Sequence, residues 1–190
     1  NPTHFMSSTT NIHLKAEPEE TWNFFHCNRD GVFVEVGAND PVYRSQTWFL
    51  EQKGWSGVLV EPQSKHFKNL CQQRPRSRVF RVACTEPGRQ GQVTLHLAAS
   101  DGLSGLNNTQ LEATYVGSET VRARTLEEVL LEADVKKIDF LSIDVEGHQW
   151  EVLSGLNLSS HRPSLLLVED RFRGGWKTNI QRMKNGYRLI

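Results

Sequence analysis

The chain has 190 residues, of which 37% are hydrophobic and 23% are charged, and its formal net charge is zero. This composition predicts one globular domain with a hydrophobic core and excludes a disordered or fibrous chain. The neutral balance provides no broad attraction for nucleic acid, and no apolar run approaches the roughly 20 residues of a membrane helix. We therefore expect neither nucleic acid nor a membrane as a partner.

The three cysteines, Cys27, Cys71 and Cys84, lie far apart in the sequence, and none forms a CxxC pair. Such a set is too small for a disulfide framework and lacks the spacing of zinc ligands. The N-terminus shows no charged-then-apolar signal pattern. Together these features indicate a reducing, cytoplasmic setting.

Residues 1–30 are predicted to form a polar N-terminal arm with one short helix, and residues 31–190 the main domain. In the main domain short apolar runs alternate with helical patterns. Predicted strands cover residues 32–36, 57–60, 79–83, 138–143 and 164–168. Predicted helices between them cover residues 47–53 and 65–73, a segment opened by a capping box of Thr125 and Glu128, and residues 150–153. This alternation predicts an α/β fold with a mostly parallel, twisted sheet and helices on both faces.

Three smaller features complete the sequence pattern. Residues 92–98 alternate in polarity and predict an antiparallel excursion, and residues 100–117 predict a long irregular loop. Four arginines, Arg74, Arg76, Arg78 and Arg81, are expected to form a solvated basic cluster at a loop and strand edge.

Acidic residues lie at or beside four of the predicted strand ends: Glu35, Glu61, Asp144 and Glu169. The carboxyl ends of parallel strands meet at one edge, and open α/β sheets bind their ligands there. Buried carboxylates are costly unless they are paired or bound to a ligand. We therefore expect one ligand-binding rim, formed by the residues just after Val36, Val60, Ala83, Ile143 and Val168.

The turn Gly37-Ala38-Asn39-Asp40 lacks the second and third glycines of the GxGxxG fingerprint that binds a pyrophosphate. Its acidic surroundings favour a ligand with a positive end, such as S-adenosylmethionine, which carries an ammonium and a sulfonium group. Glu61-Pro62 ends the second strand, where an acid accepts the ribose hydroxyls of an adenosine ligand. An ordinary tight turn and a surface acid are the respective alternatives.

The segment Asp144-Val145-Glu146-Gly147-His148 follows a strand that should be central. Glu146 and His148 are candidates to position and deprotonate an acceptor hydroxyl, and histidine is the easier base because its unperturbed pKa is about 6.5. Helix capping by His148 is an equally open interpretation. Asp144 with Glu169-Asp170 would suit Mg²⁺, but ion pairs with the basic residues at 171–177 are favoured, so we assign no metal.

Three segments together resemble the FkbM family of methyltransferases: Phe33–Asp40, Gly54–Pro62 and Ile138–Leu153. Val121–Leu126 also resembles the segment that enters the helix before the fourth strand of that family. The resemblance extends from about Val32 to Asp170. It implies a class I methyltransferase fold and methyl transfer from S-adenosylmethionine to an oxygen, usually a hydroxyl of a sugar or a secondary metabolite.

The resemblance also implies roles for individual residues. Glu35, Gly37, Ala38 and Asn39 would bind the methionine end of the cofactor, Glu61 the ribose, and Cys84 would lie near the adenine, while Asp144 and Glu146 would face the reaction centre. Asp40-Pro41 departs from the family pattern, so the first helix is expected to start late, toward Ser45. The C-terminal strand hairpin of such folds is expected to be incomplete.

The function predicted from the sequence is therefore in-line methyl transfer to a small-molecule hydroxyl acceptor, with carbohydrates among the candidates, in which the enzyme mainly aligns the acceptor oxygen. One alternative is an NAD(P)-dependent oxidoreductase on a related fold, against which the missing glycines count. The other is a non-catalytic module that binds an adenosyl ligand.

Overall fold

The computed structural model describes residues 18–100, 102–106 and 113–169, with side chains from residue 21 onward. Within these ranges the helices are α1 Pro18–Phe24, α2 Trp48–Gln52, α3 Ser64–Gln73, α4 Leu126–Glu132, α5 Gln149–Ser154 and α6 Leu158–His161. The strands are β1 Val32–Val36, β2 Ser56–Val60, β3 Ser77–Phe80, β4 Ala83–Cys84, β5 Gly91–Ala98, β6 Tyr115–Arg124, β7 Phe140–Ile143 and β8 Leu165–Val168. None of these helices is long and apolar enough to cross a membrane.

The main sheet has the strand order β3-β2-β1-β7-β8, and every neighbouring pair is parallel. Val36 at the end of β1 pairs with Val60 of β2 and with Ile143 of β7, and Ile143 pairs with Val168 of β8. The four strands therefore end level with one another. This confirms the predicted parallel sheet and the predicted meeting of its carboxyl ends at one edge.

Both faces of the main sheet are buried. Because successive side chains of a strand point to opposite faces, β1 contributes Val34 to one side and Phe33 to the other. Val34 belongs to the cluster that contains residues of α4 and α5, whereas Phe33 belongs to the cluster that contains Leu50 of α2 and Leu70 of α3. Burial on both faces explains why the strands read as continuous apolar runs in the sequence.

The second sheet has the order β4-β6-β5 and branches from the carboxyl side of the main sheet. Strands β5 and β6 are antiparallel, which confirms the predicted excursion over residues 92–98. The prediction of one strand over residues 79–83 was wrong. The Phe80 carbonyl accepts from the Glu61 N–H in the main sheet, and after it the chain leaves to pair Ala83 with Ala123 of β6. The predicted loop over 100–117 also ends earlier, because β6 begins at Tyr115.

Local hydrogen bonds explain where two helices begin: a turn delays the start of α2, and a capping box begins α4. The Asp40 Oδ1 accepts from the backbone N–H groups of Val42 and Tyr43, at 2.9 and 2.7 Å, and forms a turn where a helix would otherwise begin. Helix α2 accordingly starts at Trp48, which confirms a late start and places it beyond the expected Ser45. The capping box predicted at Thr125 is present in full.

Arg74 contradicts the prediction of a solvated arginine cluster, because it is only 1% exposed. Its Nε donates to the Glu51 Oε2 at 2.7 Å. Its terminal nitrogens donate to the Pro41 carbonyl, the Ser45 Oγ and the Thr47 Oγ1, at 3.2, 3.1 and 2.8 Å. The C-terminal end of α3 is therefore tied to α2 and to the loop that follows β1.

Replacement of Arg74 by Met is expected to lower the free energy of unfolding by about 3–5 kcal/mol, because it leaves the Glu51 carboxylate buried without its charge partner. Urea unfolding of the two proteins measures the difference. Arg76→Met is the matched control, since the Arg76 side chain is exposed and only its backbone N–H reaches Glu51. Equal unfolding free energies for both variants would contradict a structural role for the Arg74 charge.

Candidate functional site

A cleft of about 380 Å³ lies at the carboxyl edge of the main sheet, within the size range of small-molecule sites. Its lining includes the residue that follows each predicted strand end: Gly37, Glu61, Cys84, Asp144 and Glu169. The rim expected from the sequence is therefore present as one continuous surface. Residues 102–106 and the second sheet contribute the remaining wall.

Gly37 forms the floor of the cleft, with a φ of +82°. A Cβ atom at this position would lie 1.8 Å from the Asp144 carbonyl oxygen, so both the conformation and the space require glycine. The Gly37 and Ala38 N–H groups donate to the Val60 carbonyl at 2.9 and 3.1 Å, and the Asp144 N–H donates to the Val36 carbonyl at 2.9 Å. The ends of β1, β2 and β7 are thus fastened together beneath the site.

Glu35 lines the cleft, but its carboxylate is already engaged by the loop before α2. It accepts from the Ser45 hydroxyl at 3.1 Å, from the Gln46 N–H at 2.8 Å and from the Thr47 hydroxyl. Burial raises the pKa of Glu35, while the hydrogen bond from Thr47 and the charge of Arg74 oppose the rise. Glu35 therefore shapes this end of the cleft, and its direct contact with a ligand stays a prediction.

Glu61 is 5% exposed and lies at the end of β2. Its Oε2 accepts from the Asn39 N–H and its Oε1 from the Gln63 N–H, both at 2.8 Å. Burial, with a smaller contribution from the Glu119 charge, raises the pKa of Glu61 to about 7 despite these two bonds. A carboxylate has lone pairs for further donors after two bonds, so Glu61 can still accept hydroxyl groups from a ligand in the cleft.

Pro62 and Cys84 line the same cleft. Cys84 is buried, and burial raises the pKa of its thiol to about 12, so the group is neutral at ordinary pH. A neutral thiol and a proline ring make a largely apolar wall beside Glu61. Such a wall suits a flat base better than a charged group.

The acids predicted for the reaction rim do come together. Carboxylate oxygens of Asp144, Glu146 and Glu169 all lie within 4.8 Å of one another. Glu146 reaches this position with a φ of +54°. Such oxygens suit a hard cation or basic side chains, but Asp170 and the basic residues at 171–177 lie outside the described residues.

His148 is buried and lines the cleft at the residue before α5. His148 is the N-cap residue of α5, as the capping interpretation expected, and its backbone carbonyl accepts from the Val152 N–H, but its side chain makes no capping hydrogen bond. The Nε2 lies 3.5 Å from the Thr85 Oγ1 and 4.0 Å from the Glu86 Oε2, and the Nδ1 lies 3.7 Å from the Glu151 Oε2. The imidazole therefore sits between two carboxylates.

Several lining residues were missed in the sequence: Tyr43, Arg44, Gln46 and His66. The first three lie in the irregular segment before α2, where no periodicity marks a side chain as inward or outward. His66 lies on α3, whose helical pattern gave it no more weight than its neighbours. The positive charge of Arg44, in a segment flanked by acids, was the one available signal.

The raised pKa of Glu61 makes stability depend on pH. Its carboxyl group ionises near 4.5 in an unfolded chain and near 7 in the folded protein. The folded protein holds this proton more tightly, so the contribution is complete below pH 4.5 and is lost as the pH rises through 7. A shift of this size corresponds to about 3 kcal/mol.

Chemical denaturation between pH 4.5 and 8 tests this linkage. Glu61→Gln mimics the protonated carboxyl, so wild type should lose more stability than the variant as the pH rises. Curves that stay parallel over the whole range would show that Glu61 does not change its protonation on unfolding.

Comparison with known proteins gives one family match. The model of the methyltransferase FkbM domain matches residues 35–188, which is most of the chain; it begins within β1 and includes the other four strands of the main sheet. No curated protein matches the sequence. The match agrees with the parallel α/β sheet and with the cleft at its carboxyl edge, and it supports methyl transfer in general terms. The chain therefore belongs to the FkbM methyltransferase family.

Proposed function

We propose that this protein transfers a methyl group from S-adenosylmethionine to a hydroxyl oxygen of a small molecule, with sugars and secondary metabolites as the candidate acceptors. One observation carries the proposal: the Glu61 carboxylate is held beside the Gly37 turn in a cleft at the carboxyl edge of a parallel sheet. Family membership supports the methyl transfer. The choice of cofactor and acceptor is our inference from the cleft.

The charge of the cleft fits this cofactor. Six carboxylate side chains are among its described lining residues: Glu35, Asp40, Glu61, Asp144, Glu146 and Glu169. A lining of this kind attracts the sulfonium and ammonium groups of S-adenosylmethionine and repels a pyrophosphate. The cleft thereby supports the methyltransferase over the NAD(P)-dependent alternative.

Each end of the cleft has a distinct binding task in this proposal. Glu61 accepts the ribose hydroxyls, Pro62 and Cys84 flank the adenine, and the Gly37–Asn39 turn receives the methionine end. When bound, the cofactor supplies a methyl group on a positively charged sulfur. Because hydroxyls donate to an ionised carboxylate better than to a protonated one, Glu61 accepts the ribose hydroxyls in its ionised form.

The rim formed by Asp144, Glu146 and His148 holds the acceptor. Most of the rate enhancement comes from aligning the acceptor oxygen, which replaces a bimolecular encounter. Glu146 or His148 would take the hydroxyl proton as the acceptor oxygen bonds to the methyl carbon and the carbon–sulfur bond breaks, which would leave S-adenosylhomocysteine. The Glu86 and Glu151 carboxylates lie on either side of the imidazole, 4.0 Å from its Nε2 and 3.7 Å from its Nδ1.

Isothermal titration calorimetry tests the cofactor. S-adenosylhomocysteine should bind and NAD should not, and Glu61→Gln should weaken S-adenosylhomocysteine roughly tenfold or more through the loss of charge-assisted bonds. Glu119→Gln is the control, since Glu119 acts on Glu61 through its charge but is absent from the cleft lining. Binding of NAD alone would refute the proposal. If neither Glu61→Gln nor Glu119→Gln weakens the binding of S-adenosylhomocysteine, the proposed ribose contact of Glu61 loses its support.

Formation of S-adenosylhomocysteine with a panel of hydroxyl acceptors tests the chemistry. Glu146→Gln or His148→Asn should lower kcat by roughly 10²- to 10⁴-fold, the scale of general acid–base catalysis, with unchanged affinity for S-adenosylhomocysteine. His161→Asn is the matched control, because His161 also contacts a carboxylate, Glu127 at 3.2 Å, but does not line the cleft. Equal kcat in all three variants would exclude both residues as the base.

The same assay decides whether a metal is needed. We expect turnover to persist in EDTA, since no metal is assigned to the acidic rim. Loss of turnover that Mg²⁺ restores would instead show a metal requirement, with Asp144, Glu146 and Glu169 as the candidate ligands.

A further inference from the structure

Acidic side chains outnumber basic ones in the cleft. Six acids line it, although burial raises the pKa values of Glu35 and Glu61, and Arg44 is the single lysine or arginine among its described lining residues. The methionine part of the proposed cofactor carries a carboxylate as well as an ammonium. Its carboxylate would be repelled by the acids of the cleft and attracted by a cation such as Arg44.

Arg44 is available for such a contact. It is exposed, and it forms no ion pair with any residue in the described part of the chain. Its guanidinium carbon lies 5.3 Å from the centre of the Tyr43 ring, within the range of a cation–π contact. Asp40, the nearest acid in the sequence, directs its Oδ1 to backbone N–H groups.

The backbone that carries Arg44 is fixed at both ends. Before it, Asp40 fastens Val42 and Tyr43. After it, the Ser45 hydroxyl contacts both the Glu35 carboxylate and the buried Arg74. Arg44 itself has a φ of +62°, a conformation that costs energy in any residue other than glycine. A fixed segment thus places one cation in the lining of the cleft that also contains the Gly37–Asn39 turn.

We propose that Arg44 binds a carboxylate group in the cleft, and that this group is the α-carboxylate of the adenosyl cofactor. The inference rests on the proposed function and adds the residue that recognises the anionic end of the ligand. The same guanidinium would also suit an anionic group on the acceptor. The two sources differ in which ligand loses affinity when the charge is removed.

Calorimetry with two ligands separates these contributions. S-adenosylhomocysteine carries the α-carboxylate, whereas 5′-methylthioadenosine has the same nucleoside and thioether sulfur without the amino-acid part. Arg44→Gln should weaken S-adenosylhomocysteine roughly tenfold and change 5′-methylthioadenosine less than about twofold, because one charge-assisted contact is lost only with the first. Arg44→Lys should retain most of the affinity.

Gln and Lys, like Arg, are strained at the positive φ of position 44. The difference in ligand affinity between the two variants therefore reports the charge of the side chain. Arg29→Gln is the matched control, since Arg29 is exposed in the turn before β1, at the opposite edge of the sheet. An unchanged ratio of the two affinities in Arg44→Gln overturns the inference. A raised acceptor KM with unchanged S-adenosylhomocysteine affinity overturns it in favour of the acceptor. A wild-type protein that binds neither nucleoside refutes the proposed function itself.

Discussion

The buried guanidinium of Arg74 is the constraint on which the site depends. A buried charge destabilises a fold by several kcal/mol unless an opposite charge and hydrogen-bond partners offset its lost hydration. Glu51 provides the charge, and the loop after β1 provides three oxygen atoms. Ser45 and Thr47 of that loop also donate to Glu35, which lines the cleft. The hydrogen bonds that stabilise the Arg74–Glu51 ion pair therefore also shape one end of the cleft.

Much of the fold could be predicted because it depends on short-range pattern. The apolar runs, the Gly37 turn and the Thr125 capping box each have a local cause, and parallel strands carry their end residues to one edge. The acids after β1, β2, β7 and β8 were therefore expected together. The observed register, which ends these strands level, makes that grouping possible.

What could not be predicted depends on partners distant in sequence. Nothing near Arg74 indicates that Glu51 will meet it, so a buried cation looked like a surface one. The run over residues 79–83 is apolar except for Arg81, yet pairing with two different sheets divides it after Phe80. The neighbours of His148 come from the segment after β4, which no pattern connects with the residue before α5.

Gly37 limits the substitutions that this site can accept during evolution. A side chain there would meet the Asp144 carbonyl oxygen, next to the bond from the Asp144 N–H to the Val36 carbonyl that joins β1 and β7. Any substitution at position 37 therefore disturbs the sheet edge and the cleft together. A lineage that abandons catalysis and keeps the fold would still retain this glycine. Its presence reports how the strand ends pack, and it does not by itself report an enzyme.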